Sequence, residues 1–111
     1  LTITSANTAD FTTRGIVPHS VLKKASKGDI EKQTRQVFTN LKTALTSVGA
    51  TFRDIVKLNT YMLDIQKGLD VYQKVWMEYM GDAKPASTLV EVKRLADPSY
   101  LMEIETKEAL E

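Results

Sequence analysis

Cysteine is absent from this chain of 111 residues. That excludes a disulfide framework, a thiolate nucleophile and a Cys-ligated metal. Histidine occurs once, as His19 in a polar loop after Pro18. A single imidazole makes neither a metal site nor a Ser-His-Asp triad, so His19 reads as an exposed loop residue. With three prolines and five glycines there is no low-complexity tract or linker. No apolar run could span a membrane, and no signal-peptide core is present. Charge of either sign is not in excess: fifteen Lys and Arg face fourteen Asp and Glu, a net +1. That offers no electrostatic case for a membrane surface, and makes a nucleic-acid partner unexpected. Lys23, Lys24 and Lys27 form a small basic cluster, too short and too poor in aromatics for a nucleic-acid patch. There is no Gly-rich phosphate loop, no metal-ligand spacing and no internal repeat. What remains is 42% hydrophobic and 26% charged. That suits one globular domain, 1–111, with a single core. Because the sequence starts at Leu1 and not Met, an N-terminal segment is expected to have been trimmed or left out.

The most informative stretch runs from Lys84 to Glu105. Ser87 to Leu95 alternates: Thr88, Val90 and Val92 point one way, and Ser87, Leu89, Glu91 and Lys93 the other. A period of two marks a strand with unlike faces. Ala96 to Ser99 is turn chemistry around Pro98. Tyr100 to Thr106 alternates again, with Met102 and Ile104 opposed to Leu101, Glu103 and Glu105. The two runs are expected to form a hairpin, with Glu103 and Glu105 on one face.

From the N-terminus, Leu1 to Thr4 reads as a short edge strand. Ala9 to Val17 reads as a second strand with Gly15 inside it. A helix follows from Asp29, capped by Asp29 or Ser26, with Glu31 in the first turn and a stripe of Val37, Phe38, Leu41, Ala44, Leu45 and Val48; Gly49 ends it. Asp54 to Leu63 alternates as a strand, with Val56, Leu58, Thr60 and Met62 on one face and Lys57, Asn59 and Tyr61 on the other. Asn40 and Asn59 could line a cleft or satisfy backbone. A second helix is expected over roughly Leu69 to Met80, with Val71, Tyr72, Val75, Trp76 and Tyr79 packed on the sheet and Gly81 at its end. The order is ββαβαββ, an α+β protein with two helices on one face of a single sheet. The other face is left to be covered, which in a chain this small suggests oligomerisation.

Three strings carry a resemblance. They are GDIEKQTRQVFTNLKTALTSVGA (28–50), DIVKLNTYMLDI (54–65) and KPASTLVEVKRLADPSYLMEIE (84–105). In this order and spacing they resemble the Rid family, also called YjgF/YER057c/UK114. The resemblance covers most of the chain. It implies a chorismate-mutase-like fold of the bacillus type. It further implies a homotrimer with inward-facing sheets and three inter-subunit clefts. Family members with known activity hydrolyse small 2-imino acids, or their enamine tautomers, to 2-oxo acids and ammonia, and need no cofactor and no metal. The partners implied are therefore sister subunits and a small 2-imino or 2-oxo acid. Rid proteins occur in the cytoplasm and in mitochondria.

The resemblance also implies the site. Glu103 matches the family's water-orienting carboxylate. The family's substrate-binding Arg follows Pro-Ala; here that position is Ser87, followed by Thr88 and by Leu89 where a Cys or small residue is usual. The Asn often found in the second helix aligns with Gln73. The usual Ser-Gly step on the second strand reads Arg14-Gly15, and the pocket Tyr of the N-terminal segment has no counterpart. The change at Ser87 is thus reciprocal to that at Arg14, and two readings stand. Either Arg14 has taken over the carboxylate from the opposite wall, with Ser87 donating a hydrogen bond, or Arg14 is an exposed strand residue and the clamp is gone. Two functions follow: an imine deaminase with Glu103 orienting water, or a non-catalytic trimer binding a small molecule or protein. A ferredoxin-like RNA-binding domain would share the alternation of elements, but near-neutral charge and the lack of an aromatic strand motif oppose it.

Overall fold

The structure is a computed structural model describing residues 2–6, 10–12, 15–16, 29–98 and 100–109. Strands β1 (Thr2–Ala6), β2 (Asp10–Thr12) and β3 (Gly15–Ile16) precede helix α1 (Ile30–Ser47). Then come β4 (Ile55–Met62), helix α2 (Ile65–Met80), β5 (Ala86–Glu91) and β6 (Met102–Glu108). All six strands form one sheet in the order β3-β2-β1-β6-β4-β5. Both helices pack on one of its faces, so the α+β reading holds.

Several expectations need correction. Residues 9–17 are not one strand: β2 and β3 pair antiparallel with each other, Phe11 opposite Ile16 and Thr12 opposite Gly15. The order is therefore βββαβαββ. Gly15, a residue that weakens a strand interior, begins the second of the two short strands. β1 is not an edge strand; it lies between β2 and β6. Nor do β5 and β6 form a hairpin. β5 runs parallel to β4 through the α2 crossover, and β6 is inserted on β4's other side, antiparallel to β4 and β1. The connector between them is tied to the end of β4. Val92 N–H donates to the Met62 carbonyl (2.9 Å), and Leu63 N–H donates to the Leu101 carbonyl (3.0 Å). Local alternation identifies a strand but carries no information about its neighbour, hence the error. The readings of His19, Lys23, Lys24 and Lys27 fall outside the described residues.

The helices begin where side chains satisfy their free N–H groups. Asp29 accepts from Lys32 N–H at 3.0 Å. α2 starts four residues earlier than its apolar spacing suggests, because Asp64 caps it by accepting from Lys67 N–H (3.2 Å). Glu91, at the end of β5, accepts from Ile65 N–H at 2.9 Å and ties that strand to the helix start. Beyond each helix, Gly49 and Gly81 take positive φ (76° and 58°), where a side chain would be strained. Arg35 of α1 bridges Glu31 and Glu78, joining the two helices at the surface.

The core lies between helices and sheet. Val37, Phe38, Leu41, Ala44 and Leu45 of α1 meet Leu58 and Met62 of β4, Tyr72 and Val75 of α2, and Met102 and Ile104 of β6. Val56 was expected on this face but is 51% exposed. β4 carries a bulge between Ile55 and Lys57, one residue more than β6 opposite it, so Ile55 turns inward in place of Val56.

Glu108 ends β6 on the core face and is buried. The Thr106 hydroxyl donates to its Oε2, whereas Oε1 has no partner among the described residues. Burial raises its pKa, and the Thr106 hydroxyl only partly counters this. A carboxyl whose folded pKa lies above the unfolded value holds its proton longer in the native state. Its stabilising share is complete at low pH and is lost as pH rises through the folded pKa. Thermal stability should therefore decline as pH rises above the ordinary carboxylate range, with a component that Glu108→Gln removes. Melting curves of both proteins across that rise in pH measure it; parallel curves would show that Glu108 ionises normally.

Candidate functional site

Two separate clusters of polar side chains are built on the two faces of the sheet. The first is on the helix side, at the β5 edge. Strand pairing sets Ser87 beside Leu58 and Leu89 beside Thr60, both core-facing. Ser87 and Leu89 therefore point toward α2. Leu89 is half-buried and packs against the core, filling space that a smaller residue would leave open. Ser87 is exposed and lines a groove of about 470 Å³ with Tyr72, Gln73, Trp76 and Met77. These α2 residues sit at successive turns along the margin of its apolar stripe.

Tyr72 forms the floor. Its hydroxyl shares a 2.7 Å hydrogen bond with Thr60 Oγ1 in the buried interior. Burial pushes the phenol up to about 12, countered in part by the neighbouring hydroxyls of Thr60 and Ser87. Tyr72 is thus a neutral, fixed group at any physiological pH. The Trp76 ring stands edge-on to it, with centroids 5.8 Å apart. None of the five described lining residues is charged.

The second cluster is on the open face. Glu103 and Glu105 of β6 lie opposite Tyr61 and Asn59 of β4. Asn59 Nδ2 donates to Glu105 Oε1 at 3.2 Å. Tyr61 is held protonated above its usual range by burial and then by the charges of Glu105 and Glu103. Glu103 is half-buried, and burial, followed by repulsion from Glu105, raises its pKa. A carboxyl shifted this way holds a proton more readily than a free one, which suits it to acid–base work. Thr88, which pairs with Asn59, belongs to this face with Val90. Below the pair, Lys57, Asn59, Glu105, Thr106 and Lys107 border a hollow of about 250 Å³. Among the described residues of the open face, Val56, Tyr61 and Val90 present apolar surface beside the polar and charged side chains.

The fold brings Gln73 and Ser87 together and separates both from Glu103. Ser87 aligns through Leu58 with Thr106, three residues along β6 from Glu103. With strands about 4.8 Å apart and a rise of about 3.3 Å per residue, the two Cα positions are roughly 14 Å apart. Their side chains leave opposite faces. Gly15 is more distant still, in β3 at one edge of the sheet, with Ser87 in β5 at the other. Arg14 lies outside the described residues. The roles of Tyr72 and Trp76 as groove walls were missed, since their spacing reads as core. The signal was the adjacent pair Gln73 and Met77, where the apolar stripe borders solvent.

The family profile described as Endoribonuclease L-PSP matches residues 8–108. The chain belongs to this family, that of the RutC/Rid (YjgF/YER057c/UK114) proteins. A RutC family protein of Pyrococcus horikoshii is 42% identical to this Rid protein over 79 residues, 71% of this chain and 61% of that one. The mitochondrial mmf1 protein of Schizosaccharomyces pombe is 39% identical over 70 residues, 63% of this chain and 43% of that one. The aligned part thus spans about half the length of these curated relatives. Among solved structures, a YjgF/YER057c/UK114 protein of Mycobacterium tuberculosis superposes with a TM-score of 0.71 at 32% identity, covering 78% of this chain and 72% of the other. A conserved Rid-family protein of Yersinia pestis gives 0.73 at 29% identity over 98% of this chain and 78% of its own. No helix among the described residues is long and apolar enough to cross a membrane.

Proposed function

We propose that this Rid protein is a cofactor-free hydrolase of imines and their enamine tautomers, working in clefts between the subunits of a chorismate-mutase-like homotrimer. One observation carries the reading. The proton-transfer candidate, Glu103, and the groove of Gln73 and Ser87 lie on opposite faces of one sheet. A single chain cannot offer both to one small molecule, whereas a cleft lined by two chains can. The same holds for Gly15 and Ser87, at opposite edges. Membership of the family and the match of Glu103 to its water-orienting carboxylate support the chemistry.

In that chemistry the oxygen of a water bonds to the imine carbon while Glu103 accepts a water proton. Glu103 passes that proton to the imine nitrogen, giving a carbinolamine. The carboxylate then carries the hydroxyl proton to the same nitrogen, the carbon–nitrogen bond breaks, and ammonia leaves as the carbonyl forms. No oxidant and no electrophilic cofactor are required. Thr88 and Leu89 would shape the cleft beside Ser87. A cytoplasmic or mitochondrial setting suits the reading, given relatives named as mitochondrial.

A second reading, a non-catalytic trimer that binds a small molecule or a protein, is favoured by one feature. The position of the family's clamp Arg is Ser87, whose hydroxyl neighbours the Tyr72 phenol. The ribonuclease in the family's name finds less support, because the groove offers phosphate no cation among its described residues.

The test generates the imine of a small amino acid with an amino-acid oxidase and traps it with semicarbazide. The protein should compete with the trap, and Glu103→Gln should lower its rate by about 10²–10⁴-fold, the usual share of a general acid–base. A trimer that leaves trapping unchanged would overturn the hydrolase reading in favour of the binding one.

A further inference from the structure

We propose that the Ser87 groove selects an uncharged, planar ligand with an amide-type edge and discriminates against a carboxylate. The inference rests on reading this groove as part of the ligand cleft.

Its described walls are one neutral phenol, one indole, one thioether, one primary amide and one hydroxyl. A carboxylate entering here would lose its hydration and find no cation among the described residues of the groove, a costly exchange. It would also meet the acceptor oxygens of Gln73 and Ser87 as well as their donors. A primary amide or lactam suits the same groups better. The Gln73 amide offers a donor and an acceptor side by side, and the Ser87 hydroxyl can serve as either. The phenol of Tyr72 is engaged with Thr60 and Ser87, so it gives the groove a flat floor. Trp76 is set edge-on to that floor and presents the rest of its ring to the groove. Met77, one residue further along the helix, is 65% exposed and supplies a polarisable wall. About 470 Å³ is ample for a six-membered ring carrying an amide.

Trp76 is the sole tryptophan of the chain, so its emission reports on this groove directly. Benzamide and benzoate are near-identical in shape and differ in charge. Titrating each into the intact protein should give a dissociation constant for benzamide at least ~10-fold lower than for benzoate, and Ser87→Arg should reverse the order. Gln73→Ala should weaken benzamide binding and leave benzoate unaffected. Equal or tighter binding of benzoate to the unmodified protein would overturn the proposal. So would emission that ignores both ligands yet shifts on dilution, because the groove would then be filled by a second copy. Turnover is not the readout. A benzoate preference defeats this inference whatever the turnover; with a benzamide preference, the hydrolase reading falls only if an imine lacking a carboxylate also goes unhydrolysed.

Discussion

Phe38→Ala should cost about 3–5 kcal/mol of stability, the range for removing a buried aromatic ring. Phe38 is fully buried in the middle of α1. Its ring stacks on Tyr79 at 5.4 Å and leans on Tyr72 at 6.2 Å and Phe52 at 6.4 Å. Those three rings come from α2 and from the short turn before β4, so the cavity would open where both helices meet the sheet. Aromatic pairs add roughly 0.5–1.5 kcal/mol each beyond area burial, which places the loss toward the upper end. A domain of this size commonly holds only about 5–15 kcal/mol in total. Urea titration should show a markedly lower midpoint. The effect should also reach the groove. Phe38 supports Tyr72, and Tyr72 is the surface against which Trp76 is set. Emission from Trp76 should therefore change in the native baseline, before unfolding begins. A loss below about 1 kcal/mol would mean that the ring cluster is not the packed centre described here.

The parts of the fold legible in the sequence are those set by local periodicity and caps. Asp29, the stripe from Val37 to Leu45 and Gly49 mark α1 without reference to any other element. The alternation of Met102 and Ile104 against Glu103 and Glu105 assigns the faces of β6 correctly. Three features were not legible, each because it depends on a partner distant in sequence. The slot of β6 between β1 and β4 is decided by which strand edges remain free after the β4-α2-β5 crossover. The inward turn of Ile55 instead of Val56 arises from a bulge, a mismatch between two strands and not a property of either. The early start of α2 joins a local cap, Asp64, to a distant one, Glu91, twenty-six residues beyond the N–H that it accepts from, and only the first can be seen in the local sequence. The candidate site follows the same pattern. Family resemblance picks out Ser87, Gln73 and Glu103 as residues, and strand pairing alone reveals that they divide between two faces. That division is the observation on which the proposed inter-subunit cleft rests.

Ser87→Arg should raise kcat/KM for a small 2-imino acid by about 10–100-fold. A charge-assisted hydrogen bond to a carboxylate contributes about 1.5–3 kcal/mol, which corresponds to roughly that factor. The position can take the longer side chain. Ser87 is exposed on an edge strand, and its neighbours enclose a groove that accommodates a guanidinium without displacing core residues. The substitution also supplies the one thing that the groove lacks for this ligand, a planar pair of donors with permanent charge. The gain should appear mainly in KM if the clamp holds substrate and transition state alike, and in kcat if it also aligns the imine carbon with the water at Glu103. Because the clamp and the carboxylate would act from different subunits, combining Ser87→Arg with Glu103→Gln should abolish the gain. Mixed trimers of the double variant with the unmodified chain should recover part of it, from those clefts where an Arg at position 87 of one chain faces an intact Glu103 of the other. If Ser87→Arg instead leaves the rate unchanged while benzoate binding improves, the groove and Glu103 do not share a cleft. In that case the protein binds its ligand on the helix side alone, as the non-catalytic reading requires.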